Sequence, residues 1–156
     1  FNHPDKECTC PPGAVQKYRN KSSGPLLDRI HLHLEVTPVA ISQLSSAQQT
    51  EKSSSIRERV IKAREIQEHR YKENEGVYAN AQMSSKQLKE ICVITTAGQN
   101  LLKVAMEKLN LSARAYDRIL KVSRTIADLA ASEDIKPEHL AEAIQYRSLD
   151  REGWTG

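Results

Sequence analysis

No stretch of this 156-residue chain reaches the ~18 consecutive apolar residues of a membrane-crossing helix, so no such helix is expected. Large aromatics are scarce: one Trp and one Phe leave any core to Leu, Ile, Val and Ala. Three cysteines, an odd number, do not make a disulfide framework and fit a reducing compartment, so a cytoplasmic location is expected. Neither G-x-x-x-x-G-K-S/T nor G-x-G-x-x-G occurs, so the usual phosphate-cradling loops are missing. No Ser/His/Asp or Cys/His set has supporting context. Phe1-Asn2-His3-Pro4 offers neither the basic nor the apolar part of a signal peptide, and the lack of an initiator Met reads as a processed or excised piece. The formal charge of +3 is too small to imply nucleic acid by itself. What is present, 38% apolar and 28% charged residues, suits a helical protein with a modest core.

Residues 1–13 read as loop, broken by Pro4, Pro11, Pro12 and Gly13. Cys8 and Cys10 lie there with His3 nearby, but Cys-x-Cys is not the Cys-x-x-Cys knuckle and two thiolates do not fill a tetrahedral zinc shell, so no metal ligand is assigned. Ala14 to Lys21 predicts a short basic helix, and Ser22 to Pro25 a turn. Ile30, Leu32, Leu34 and Val36 then alternate with His31, His33 and Glu35, which predicts a strand with the aliphatic face buried. It is the only good strand in the chain and has no ladder partner. Its two histidines are more commonly partly exposed strand residues than a metal pair. Thr37 to Ser55 reads as a polar linker with a short helix near Ile41 to Leu44. A long helix from Ile56 to about Glu73 follows, capped by Ser54 or Ser55. Its apolar stripe is thin (Ile56, Val60, Ala63, Ile66, Tyr71), and its mixed-charge face, Arg70 included, is expected to be solvated.

Beyond a loop at Asn74 to Met83, four helices are predicted. Ser84 to Cys92 buries Leu88, Ile91 and Cys92. The next, capped by Thr95 or Thr96, buries Leu101, Leu102, Ala105 and Leu109. Asn110 to Ala131 is the longest, with Ser112 as N-cap and a stripe of Tyr116, Ile119, Leu120, Ile126, Ala127 and Ala130. Pro137 opens the last, with Leu140, Ala141 and Ile144 inward, and a polar tail begins at Ser148. Short turns between them imply a compact bundle. Arg114 stands out. It sits in a first turn, where positive charge opposes the helix dipole and free N–H groups suit an anion. Composition alone favours an ordinary surface arginine.

Two segments together are more specific. SGPLLDRIHLHLEV at Ser23 to Val36 resembles the arginine-finger segment of magnesium-chelatase-like AAA+ ATPases, and Asn110 to Arg151 resembles their C-terminal lid helices. The chain is similar to the ComM/YifB family of that group, bacterial proteins linked to DNA processing. The resemblance implies a mainly α fold: an AAA+ C-terminal helical lid bundle preceded by a long insert helix and a partly orphaned segment of the AAA+ core. It divides the chain into a core remnant at 1–36, linker and insert helix at 37–80, lid at 81–148 and tail at 149–156. It implies that Arg29 is the arginine finger, catalytic on ATP held by a neighbouring subunit, and that Arg114 is the sensor-2 arginine binding ATP in cis. ATP and Mg2+ would be cofactors of the longer protein, with none in this piece. Partners would be further subunits of a hexameric ring and DNA, with no membrane. The implied activity is ATP-driven branch migration or DNA unwinding, absent from this piece because Walker A and Walker B are missing. The alternatives are a non-catalytic helical module binding DNA or protein, and the motor subunit of a magnesium chelatase. His31 stands where the family commonly has Asp, and Cys8 and Cys10 resemble half of a four-cysteine cluster.

Overall fold

The computed structural model describes residues 7–22, 24–34, 36, 39 and 51–147. His3, the short helix expected near Ile41 to Leu44 and the tail from Ser148 lie outside the described residues. The architecture is mainly α, as expected. Among the described residues the helices are α1 (Pro12–Arg19), α2 (Gly24–Leu27), α3 (Ser53–Tyr71), α4 (Ser85–Ile91), α5 (Thr96–Lys108), α6 (Ala113–Leu129) and α7 (Pro137–Gln145), with a 3-10 turn at Asn80–Gln82.

Local chemistry sets most of these boundaries. Ser84 caps α4 through a reciprocal box: its Oγ accepts from Gln87 N at 3.3 Å, and Gln87 Oε1 accepts from Ser84 N at 2.9 Å. Thr95 Oγ1 caps α5 on Gly98 N at 3.3 Å, and Ser112 Oγ caps α6 on Ala115 N at 3.1 Å. Pro137 opens α7, where its missing N–H costs nothing. α5 and α6 end alike, on a residue in the left-handed region followed by an N–H reaching back five positions. Asn110 (φ 47°) precedes Leu111 N to Met106 O at 3.0 Å, and Ala131 (φ 50°) precedes Ser132 N to Ala127 O at 2.8 Å. The serine cap expected for the long helix does not form. α3 begins at Ser53, the extended residue before it is Lys52, and no side chain caps it. Ser54 and Ser55 already have helical backbone and so cannot occupy the cap position.

α6 is the hub. It packs on α7, α3, the 3-10 turn and α4, while α5 closes the bundle against α7. The core joins Tyr71, Met83, Leu88, Cys92, Leu102, Ile119, Leu120, Ala127, Ile135, Leu140 and Ala143. The α6 stripe needs correction. Ile119, Leu120 and Ala127 are buried, but Tyr116 and Ala130 are exposed, and Ser123, Arg124 and Asp128 are buried instead. Four elements surround α6, so its buried arc is wider than one stripe and takes in polar positions. On α3 only Ala63, Gln67 and Tyr71 are buried; Ile56 and Val60 are exposed because the first turns of the helix extend beyond the bundle.

The expected strand is also overturned. Residues 30–34 and 36 form no strand, and the alternation is inverted: His33 is 4% exposed, while Ile30, Leu32, Leu34 and Val36 are 40%, 47%, 67% and 90% exposed. A strand needs a ladder partner. Here the backbone bonds to the end of the bundle instead: His33 N–H donates to Tyr146 O at 2.8 Å, and Arg147 Nη1 donates to Ile30 O.

Candidate phosphate-facing site

The site forms where the segment after α2 meets the N-terminus of α6. α2 and the turn beyond it are held by backbone bonds from Arg29 N to Leu26 O and from Ile30 N to Leu27 O, both 3.0 Å. Leu27 is buried, and His33 Nε2–H donates to Leu27 O at 3.2 Å, which places a ring proton on that nitrogen. With Arg147 on Ile30 O, this pins the chain on both sides of Arg29.

Asp28 is the junction. Ser112 Oγ donates to Asp28 Oδ1 at 2.5 Å while still capping α6. Arg114 Nη1 lies 3.7 Å from Asp28 Oδ2, with its side chain 70% exposed. Arg118 Nη1, one turn further along α6, donates to the Asp28 carbonyl at 2.8 Å. Arg29 is exposed, and its side chain makes no hydrogen bond or ion pair among the described residues. The two arginines singled out in the sequence therefore flank one carboxylate-bearing residue. Arg29 is its chain neighbour and Arg114 its ion-pair partner, 86 positions further along.

The surroundings are cationic. Burial first, then the charges of Arg118, Lys121 and Arg147, hold the His31 imidazole below its ordinary value, so it stays neutral near pH 7. An exposed guanidinium in the first turn of α6, with a second exposed arginine next in chain to the Asp28 it pairs with, suits an anion with several oxygens, such as a phosphate. No group of three or more metal-ligating side chains gathers among the described residues. Cys8 and Cys10 are free thiols. Hydrogen bonds from the Cys10 backbone and thiol hold Cys8 below the usual thiol range.

The sequence reading missed Asp28, Arg118 and Arg147. One signal was available. Arg114 and Arg118 form an i, i+4 pair of like charge, which is unfavourable on an isolated helix and implies an acceptor nearby.

Residues 50–147 match the family model described as the C-terminal part of magnesium chelatase subunit ChlI, and residues 1–44 match the one described as magnesium chelatase subunit ChlI. The chain belongs to the magnesium chelatase ChlI family. It is similar to competence protein ComM of Haemophilus influenzae, 42% identical over 141 residues that make up 90% of this chain and 27% of ComM. It is also similar to protein YifB of Salmonella typhimurium, 38% identical over 145 residues, and to YifB of Escherichia coli, 37% identical over 143 residues, each match spanning 91% of this chain and 27% of the relative. The chain thus spans about a quarter of the length of these relatives. Within the ChlI family the described bundle from α3 to α7 corresponds to the C-terminal helical lid.

Proposed function

We propose that this chain is the sensor and lid region of a ComM-like AAA+ ATPase, and that Arg29 and Arg114 serve one ATP phosphate. The observation that carries this is the Asp28 junction. A guanidinium 3.7 Å from the residue preceding the finger travels with the finger. If Arg29 reaches the γ-phosphate of ATP in a neighbouring subunit, Arg114 is brought to that same nucleotide. The resemblance implied a cis role for Arg114; a trans role is the reading that the ion pair with Asp28 supports. The two arginines would neutralise charge on the phosphoryl oxygens in the transition state, an effect worth roughly 10³ to 10⁵ in rate for other arginine fingers. ATP and Mg2+ would be held mainly by residues outside this chain, which has no P-loop. The longer protein would work as a hexameric ring on DNA, with branch migration or unwinding as the output. The isolated chain is expected to hydrolyse no ATP.

Complementation in the full-length protein tests this. Arg29→Ala and Arg114→Ala should each abolish hydrolysis with nucleotide binding largely kept. Mixing either variant with subunits defective in the P-loop should restore turnover, because the defective subunit still donates its arginine to the neighbour's ATP. Recovery with Arg29→Ala but none with Arg114→Ala would return Arg114 to a cis role. Full activity of Arg29→Ala would remove the finger. A second reading rests on the family description itself: a motor subunit of a magnesium chelatase acting on porphyrins. ATP-dependent Mg2+ insertion with chelatase partner subunits, in the absence of any DNA-stimulated turnover, would favour it.

A further inference from the structure

The contacts around Asp28 differ in kind. The Arg118 bond to the Asp28 carbonyl is short and part-buried, and the Arg118 Nε is buried with no hydrogen-bond partner among the described residues. That guanidinium is half-buried and committed through Nη1 to the Asp28 carbonyl. The Asp28 carboxylate holds Ser112 closely but Arg114 only at 3.7 Å, with the arginine side chain 70% exposed. Arg114 can leave for a better acceptor, and a phosphate oxygen is one.

We propose that Arg118 and Asp28 are positioning residues for the two-arginine site. Arg118 holds the Asp28 carbonyl and thereby fixes the backbone from which Arg29 projects. The Asp28 carboxylate parks Arg114 beside that same backbone until a phosphate draws it away. Neither residue touches the nucleotide. Their work is to set the distance between the two arginines that do. The proposal rests on Arg29 and Arg114 serving one phosphate. It adds a mechanical link between them that runs through the first turns of α6 and is absent from either arginine alone.

The test uses the full-length protein, with steady-state ATP hydrolysis and binding of a fluorescent ATP analogue. Misplacing a reacting group by about 1 Å costs on the order of 10²-fold in rate. Arg118→Ala and Asp28→Asn should therefore lower kcat by about 10- to 100-fold, with KM and analogue affinity changed by less than about threefold. Arg118→Lys should recover part of the loss, since an ammonium still donates to a carbonyl. Amide exchange should quicken across residues 27–34 in Arg118→Ala and stay unchanged across α6. If both positioning variants keep wild-type kcat while Arg29→Ala is inactive, the positioning role is wrong and the finger stands. If Arg29→Ala is fully active, both fall. If exchange quickens throughout α6, Arg118 is merely structural and its positioning role falls; wild-type kcat in Asp28→Asn would remove the role of the Asp28 carboxylate as well.

Discussion

Arg70 grips Asp128 with both prongs of its guanidinium across 58 positions of chain. Nη2 donates to Oδ1 at 2.5 Å and Nη1 to Oδ2 at 2.8 Å. Arg124 Nε adds a bond to Oδ1 at 3.1 Å, and Asn80 Nδ2 one to Oδ2 at 2.8 Å, on a carboxylate with no exposed side-chain surface. Asn80 in turn accepts from Arg70 and from the Tyr71 hydroxyl, and its backbone N–H donates to Gln67. This network ties the last turns of α3 to the last turns of α6. The hydrogen bond to Asp128 is the main reason the Arg70 guanidinium is held above its ordinary value. Since α6 also carries Arg114 at its other end, the long helix and the candidate site at Asp28 meet on one helix.

Removing the shared carboxylate should be costly. Asp128→Ala leaves Arg124 buried without its side-chain counter-charge and should destabilise the chain by about 3–5 kcal/mol, read from urea unfolding. Arg70→Ala should cost less, because Arg70 is partly exposed and Asp128 keeps Arg124 and Asn80.

Alkaline conditions should loosen the core. Burial pushes the Cys92 thiol up to about 11, and burial raises Tyr71 too. An ordinary thiol in the unfolded chain ionises near about 8.5. The unfolded state therefore loses its proton first. The Cys92 contribution to stability is full below that pH and is lost as pH rises towards about 11. The urea midpoint should fall between neutral pH and pH values near about 10, and less steeply in Cys92→Ala. Near neutral pH a thiol reagent should label Cys8 first and Cys92 only on unfolding.

Ala131 offers a stabilising change. It is exposed and holds φ at 50°, a conformation that costs an L-residue roughly 1–2 kcal/mol. Glycine relieves this but carries more chain entropy when unfolded. Ala131→Gly should raise stability by about 0.5 kcal/mol, seen as a higher thermal midpoint with unchanged helix content.

Much of the fold was legible in the chain. Ser84, Thr95, Ser112 and Pro137 announce helix starts because capping is decided within a single turn. The four C-terminal helices and the long helix before them followed from periodicity. Arg114 was visible as a cation against a dipole, and Arg29 through its LLDR setting. Less legible was which polar residues lie inside. Arg70 reads as one more charge on a mixed face, and nothing local shows that Asp128 waits for it.

The alternation from Ile30 to Val36 marks both limits. The sequence by itself determined a period of two, and exposure does alternate there, with His31 half-buried and His33 buried between exposed aliphatic residues, as far as the described residues run. Which set turns inward was decided by tertiary structure: Tyr146 and Arg147 take the backbone bonds, and His33 goes in. The same division holds for the site. Sequence alone supplied two arginines and the helix that carries one of them. Only the fold joined them at Asp28, because a contact between positions 28 and 114 depends on how distant segments pack, which local preference does not encode.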